Sequence, residues 1–106
     1  MKNAEYDRLN KLINAYFYPY WEDDYGTEAE VVDQYIRTSW RDDVERSIEQ
    51  INRYVSEHPV NLLASFDAEF VPMYIIGQND AEARAWLLAV RDQLRAHIDL
   101  ARLRPA

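Results

Sequence analysis

The chain has 106 residues, 48% of them apolar and 29% charged, and no cysteine. That suffices for one buried core but not two, is too apolar for a disordered chain, and excludes disulfides, thiol nucleophiles and thiolate metal sites. The 19 acidic residues against 12 basic ones give a net charge of −7, which disfavours nucleic acid and anionic membranes and favours a basic partner.

Two glycines, four prolines and apolar residues recurring at spacings of three and four make helix the dominant expectation. A first helix is expected from about Asn3 to Phe17, with Tyr6, Leu9, Ile13, Tyr16 and Phe17 on one face and Leu12 beside them. It stops before Pro19, because proline pushes the preceding residue out of helical backbone. Residues 18–26 form an irregular connection closed by Gly26. Thr27 and Glu30 have the spacing of a capping box, opening a second helix to about Thr38 that buries Val31, Val32, Tyr35 and Ile36. Ser39, with Asp42 three residues on, caps a third helix whose inward face is Val44, Ile48, Ile51 and Val55 and which ends near His58-Pro59. A shorter fourth helix, Val60 to Phe70, buries Leu62, Leu63 and Phe66; residues 71–77 fit either a buried loop or a short extended piece. Asn79 and Glu82 open the longest segment, to about Leu103, with Trp86, Leu87, Val90, Leu94, Ile98 and Ala101 on its apolar stripe. The expected architecture is all-α: a compact bundle of about five helices, a single domain over residues 1–106.

No apolar run approaches the roughly 20 residues that span a bilayer, and Met1-Lys2-Asn3-Ala4-Glu5 does not begin a signal peptide, so a cytoplasmic protein is expected. Charge is polarised: residues 22–49 hold 10 acids against three arginines, net −7, whereas the chain from Arg84 onward is +3. The stretch Tyr16-Phe17-Tyr18-Pro19-Tyr20-Trp21-Glu22-Asp23-Asp24-Tyr25-Gly26 alternates large rings with carboxylates where periodicity is lost. Phe17, Tyr20 and Trp21 fit as wedges between helices with the acids solvated or feeding a helix dipole. The same residues fit as contacts for a basic partner. A metal or acid–base role for Glu22, Asp23 or Asp24 has little support, since no further spaced ligands accompany them. Asp33, Asp42, Asp43, Glu45 and Glu49 read as a solvated face, or as part of a negative surface that mimics a phosphate backbone. His58 and His97 lie in no zinc or nucleophile pattern; His58 suits terminal carbonyls of a helix, and His97 is expected to be half exposed. No GxSxG, P-loop or GxGxxG occurs. No catalytic residue, cofactor or metal is assigned, and no membrane, nucleic-acid or small-molecule partner.

Leu12-Ile13-Asn14-Ala15-Tyr16-Phe17, then Trp21-Glu22-Asp23-Asp24-Tyr25-Gly26, Val31-Val32-Asp33, and Trp86-Leu87-Leu88-Ala89-Val90-Arg91-Asp92-Gln93-Leu94 follow one another in an order that resembles the small immunity proteins of bacterial contact-dependent growth inhibition systems. The resemblance covers nearly the whole chain. It implies a cytoplasmic, non-enzymatic protein that binds and blocks the C-terminal toxin domain, often a nuclease, of a matching exported protein. Trp21, Glu22, Asp23, Asp24, Tyr25, Asp42 and Asp43 are the expected contacts, with Trp21 equally open to a place in the core. An acidic adaptor for an unrelated basic protein is the alternative; its gene would not neighbour that of an exported toxin.

Overall fold

The computed structural model of the chain describes residues 5–72 and 74–103, with side chains as far as Ile98. Helix α1 (Asp7–Lys11) runs without a break into a π-helical segment, Leu12–Tyr16. The single winding expected from Asn3 to Phe17 therefore changes midway, and residues 3 and 4 lie outside the described part. Sterics of the core explain the change. In an α-helix Leu12 and Phe17 would point about 140° apart, yet Leu9, Leu12, Ile13 and Phe17 are all buried, and the wider π turn carries all four inward. A four-residue helical turn, α2 (Trp21–Asp24), lies in the connection that was expected to be irregular.

Helix α3 (Glu28–Arg37) starts where the Thr27 signal places it and buries Val31, Val32, Tyr35 and Ile36. The Thr27 side chain accepts from the Glu30 N–H at 3.2 Å, but the Glu30 carboxylate reaches the Gly26 N–H at 3.0 Å, one residue before the expected partner. Helix α6 (Asp80–Leu103) repeats this offset: Asn79 accepts from the Glu82 N–H at 2.9 Å while Glu82 takes the Gln78 N–H at 2.8 Å. Each pair satisfies one donor that the helix start leaves free and one on the residue just before the cap.

Helix α4 (Arg41–Glu57) departs from expectation at its start and along its face. Ser39 does not cap it; Trp40 stands at the cap position without a side-chain bond. Ile48 and Val55 are only half-buried, and Ser47, Gln50 and Tyr54 lie inside instead. Two polar side chains are tolerated there because they are bonded. Ser47 Oγ donates to the Asp43 carbonyl at 2.8 Å and meets the Tyr35 hydroxyl at 2.6 Å. Gln50 Oε1 accepts the N–H groups of Arg8 and Leu9 at 2.9 and 3.0 Å, and its Nε2 donates to Asp7 at 2.8 Å. Because Tyr6, at the cap position of α1, makes no side-chain capping bond, Gln50 caps α1 from another helix.

Helix α5 (Leu62–Phe70) begins two residues later than expected and buries Leu62, Phe66 and Phe70, with Leu63 half-buried. Asn14 donates to the Phe70 carbonyl at 3.0 Å, tying the π segment to the end of α5. The described residues of the link that follows form no helix or strand: Ile76 is buried, Ile75 exposed and Tyr74 half-buried. No strand occurs among the described residues. A Cβ on Gly77 would stand 2.7 Å from the Ala83 nitrogen, so only glycine lets the link close against α6. Along α6, Ala83, Leu87, Val90, Leu94 and Ile98 are buried, Trp86 is half-buried and His97 is exposed, not half exposed; the Ala101 side chain lies outside the described part. Helix α6 packs most extensively against α4 and also against α3 and α5, while α1 lies on α4 and the π segment on α3. One apolar cluster draws on every helix, each fully buried Leu, Ile, Val or Phe side chain contributing roughly 1.5–3 kcal/mol.

Candidate functional site

The acidic turn is built from the backbone outward. Tyr18 O accepts the Trp21 N–H at 3.0 Å across Pro19, whose fixed φ suits the second position of a β-turn. Bonds from Asp23 N to Tyr20 O and from Tyr25 N to Trp21 O then wind α2. The side chain of Trp21 goes inward: it is 8% exposed, with its ring edge-on to Phe17 at 5.7 Å and to Tyr74 at 5.6 Å. Phe17 in turn stacks on Tyr74 at 5.1 Å and meets Trp86 edge-on at 5.3 Å. Such pairs add about 0.5–1.5 kcal/mol each beyond burial. The polar tips of this cluster converge on one carboxylate, since Glu28 Oε2 accepts from Trp86 Nε1 at 2.8 Å and from the Tyr74 hydroxyl. Trp21 is thus the mount of the turn, in the core and not on the surface.

From that mount Glu22, Asp23 and Asp24 project into solvent, and Tyr25 is half-buried. Asp24 accepts a hydrogen bond from Tyr18, and this bond pushes the Tyr18 phenol up to about 12. Asp42 is exposed in the first turn of α4. Asp43 faces Arg8 at 3.4 Å, so its charge is engaged between α4 and α1. No hydrogen bond or ion pair among the described residues joins the turn at 22–25 to Asp42 and Asp43.

The carboxylates at 22–33 share one property. Asp24 takes Tyr18, Glu28 takes Tyr74 and Trp86, Glu30 takes the Gly26 N–H, and Asp33 takes Gln93 at 3.1 Å, all uncharged donors. No ion pair among the described residues involves any of them, whereas Arg8, Arg41 and Arg91 are bound to Asp7 and Asp43, Glu45, and Asp92. No ion pair among the described residues offsets the negative charge of this segment. Among the described residues no three His, Asp or Glu side chains gather closely enough to hold a metal ion.

Two rings stand outside the core. Tyr20, which the sequence leaves open as a wedge between helices or as a partner contact, is no wedge, being 71% exposed beside the acidic turn; Trp40, which no sequence pattern marked, is 82% exposed at the start of α4. Trp40 lies on no helical stripe, so periodicity carries no signal for it. The histidines take ordinary places: His58 Nδ1 meets the Tyr54 carbonyl at 2.8 Å and its ring stacks on Tyr54. Arg84 and Arg91 of the basic C-terminal stripe are partly used internally, on the Pro59 carbonyl at 3.1 Å and on Asn52 at 3.0 Å.

The described residues form an all-helical fold in which the acidic turn makes no ion pair and two rings are exposed. A family model described as CdiI immunity protein matches residues 5–94, and the chain belongs to that family. Its role is accordingly toxin-neutralising immunity, and its partner is a protein toxin. No curated protein and no solved structure matches the chain. No helix among the described residues is long and apolar enough to cross a membrane.

Proposed function

We propose that this chain is a cytoplasmic immunity protein, acting as a single domain, that binds and neutralises the basic, nuclease-type C-terminal toxin domain of a cognate contact-dependent growth inhibition protein. It blocks by occupancy and catalyses no reaction. The observation that carries this reading is the set of carboxylates at residues 22–33, whose hydrogen bonds all come from uncharged donors and whose charge is therefore available to a cationic surface. Glu22, Asp23 and Asp24 lead the contact, Tyr25 lies against it, Trp21 holds the turn from beneath, and Asp42 adds charge from α4. Asp43 contributes through Arg8 and α1. Opposite charge raises encounter rates by about 10–1,000-fold at low ionic strength.

The test is co-expression with the C-terminal domain encoded immediately upstream, scored by growth and by co-elution of the purified chains. Rescue with a stable complex is expected. Asp23→Lys should slow association and flatten its dependence on salt, because screening acts within about 8 Å at physiological ionic strength. A demonstrably toxic neighbour that is neither bound nor neutralised would overturn the reading.

A further inference from the structure

We infer that Trp40 is the anchor of this chain for its toxin partner, taking an arginine of that partner on its indole with the Asp42 carboxylate alongside; this rests on the immunity reading above. The position explains nothing about the fold. Trp40 is 82% exposed, so it packs little, and it makes no capping bond. A serine, threonine, aspartate or asparagine there would add about 1 kcal/mol to α4. The residue is poor for stability and large for contact.

Its surroundings select the partner's chemistry. Arg41 is held by Glu45 at 3.0 Å and Asp43 faces Arg8, which leaves Asp42 as the exposed carboxylate of that turn with no ion pair among the described residues. An exposed indole two residues from an exposed carboxylate without an ion pair among the described residues suits a guanidinium, which can stack on the ring and bond the carboxylate through its planar fork; an ammonium lacks that fork. Ile36, Ser39, Arg41, Val44, His97 and Ile98 line a cleft of about 110 Å³. Ser39 and Arg41 flank Trp40 in sequence, so the same partner surface can seat an apolar side chain there. A ring whose two sequence neighbours line such a cleft suits an interface anchor.

The measurement is calorimetric titration of the upstream C-terminal domain, inactivated by substitution, into the wild type, Trp40→Ala, Trp40→Phe and Asp42→Asn. Trp40→Ala should weaken binding by about 30-fold or more, the level of an interface hot spot. Trp40→Phe should retain part of the affinity, and the Trp40→Ala/Asp42→Asn pair should lose less than the product of the single losses. All variants should melt with the wild type, because neither side chain supports the core. Iodide quenching of the Trp40 signal, taken as wild type minus Trp40→Phe, should fall in the complex. Trp40→Ala binding like the wild type, or unchanged quenching, would overturn this inference while leaving the immunity reading intact. A wild type that neither binds nor rescues growth would overturn both.

Discussion

Replacing Gln50 by leucine probes the contact on which the start of α1 depends. The side-chain amide accepts two backbone N–H groups of α1, from Arg8 and Leu9, across more than 40 residues, and Leu9 is fully buried. Leucine keeps the volume and removes the acceptor, stranding both donors. At about 1–3 kcal/mol for each stranded donor, less where Arg8 reaches water, the loss is about 2–4 kcal/mol. Unfolding entropy of about 2.1 cal/mol/K per residue turns that into a fall in Tm of roughly 10–18 °C. Thermal melts followed by circular dichroism give the shift, and amide exchange should show Arg8 and Leu9 losing protection before the rest of the chain. The other end of this amide, Nε2, donates to Asp7, and that bond is the main cause that holds the Asp7 carboxyl below its ordinary range. A carboxyl depressed in the folded state adds stability above its unfolded pKa and loses it as pH falls through the folded one. In Gln50→Leu the Asp7 titration should therefore move up and part of the acid sensitivity should vanish. A variant that melts like the wild type with both amides protected would refute the capping argument.

Val71 ends α5 in left-handed backbone, φ 44°, with its side chain 74% exposed. A β-branched residue there is strained, so Val71→Gly should gain about 1 kcal/mol, seen as a higher urea midpoint. Burial first, then the bond to Glu57, pushes the Tyr6 phenol up to about 12 from an ordinary 10.0. Because the folded value is the higher one, this stabilisation is complete below the unfolded pKa and is lost as pH rises through the folded one. Alkaline denaturation of Tyr6→Phe should accordingly be shallower between those two values than that of the wild type.

The positions of α3 and α6 were legible because they depend on local signals. Gly26, Thr27 and Asn79 mark boundaries, and spacings of three and four mark both helices. The face of α4 was not legible. Ser47 and Gln50 look like solvent residues until α1 and α3 arrive with the groups that bond them, so the Val44 to Val55 stripe is the simpler pattern; Ile48 and Val55 do pack against the core but only at its edge, and the stripe misses Ser47, Gln50 and Tyr54. The π segment escaped for the same reason, being fixed by where Phe17 must pack. At the candidate site, the exposure of Glu22, Asp23, Asp24 and Asp42 agrees with their charge, whereas Asp43 is tied to Arg8 and Trp21 turns inward, both through tertiary neighbours. Trp40 had no pattern to betray it.

The seat of Trp21 bears on how such a protein diversifies. The turn at 22–24 is held by Phe17, Trp21, Tyr74, Trp86 and Glu28, none of which lies among the three exposed carboxylates. Substitutions away from buried contacts usually alter stability by no more than about 0.5 kcal/mol. If the proposed contact is right, lineages descended from this chain can exchange charge, size and sign at Glu22 and Asp23 to follow a changing adversary, while the scaffold that presents them is inherited unaltered.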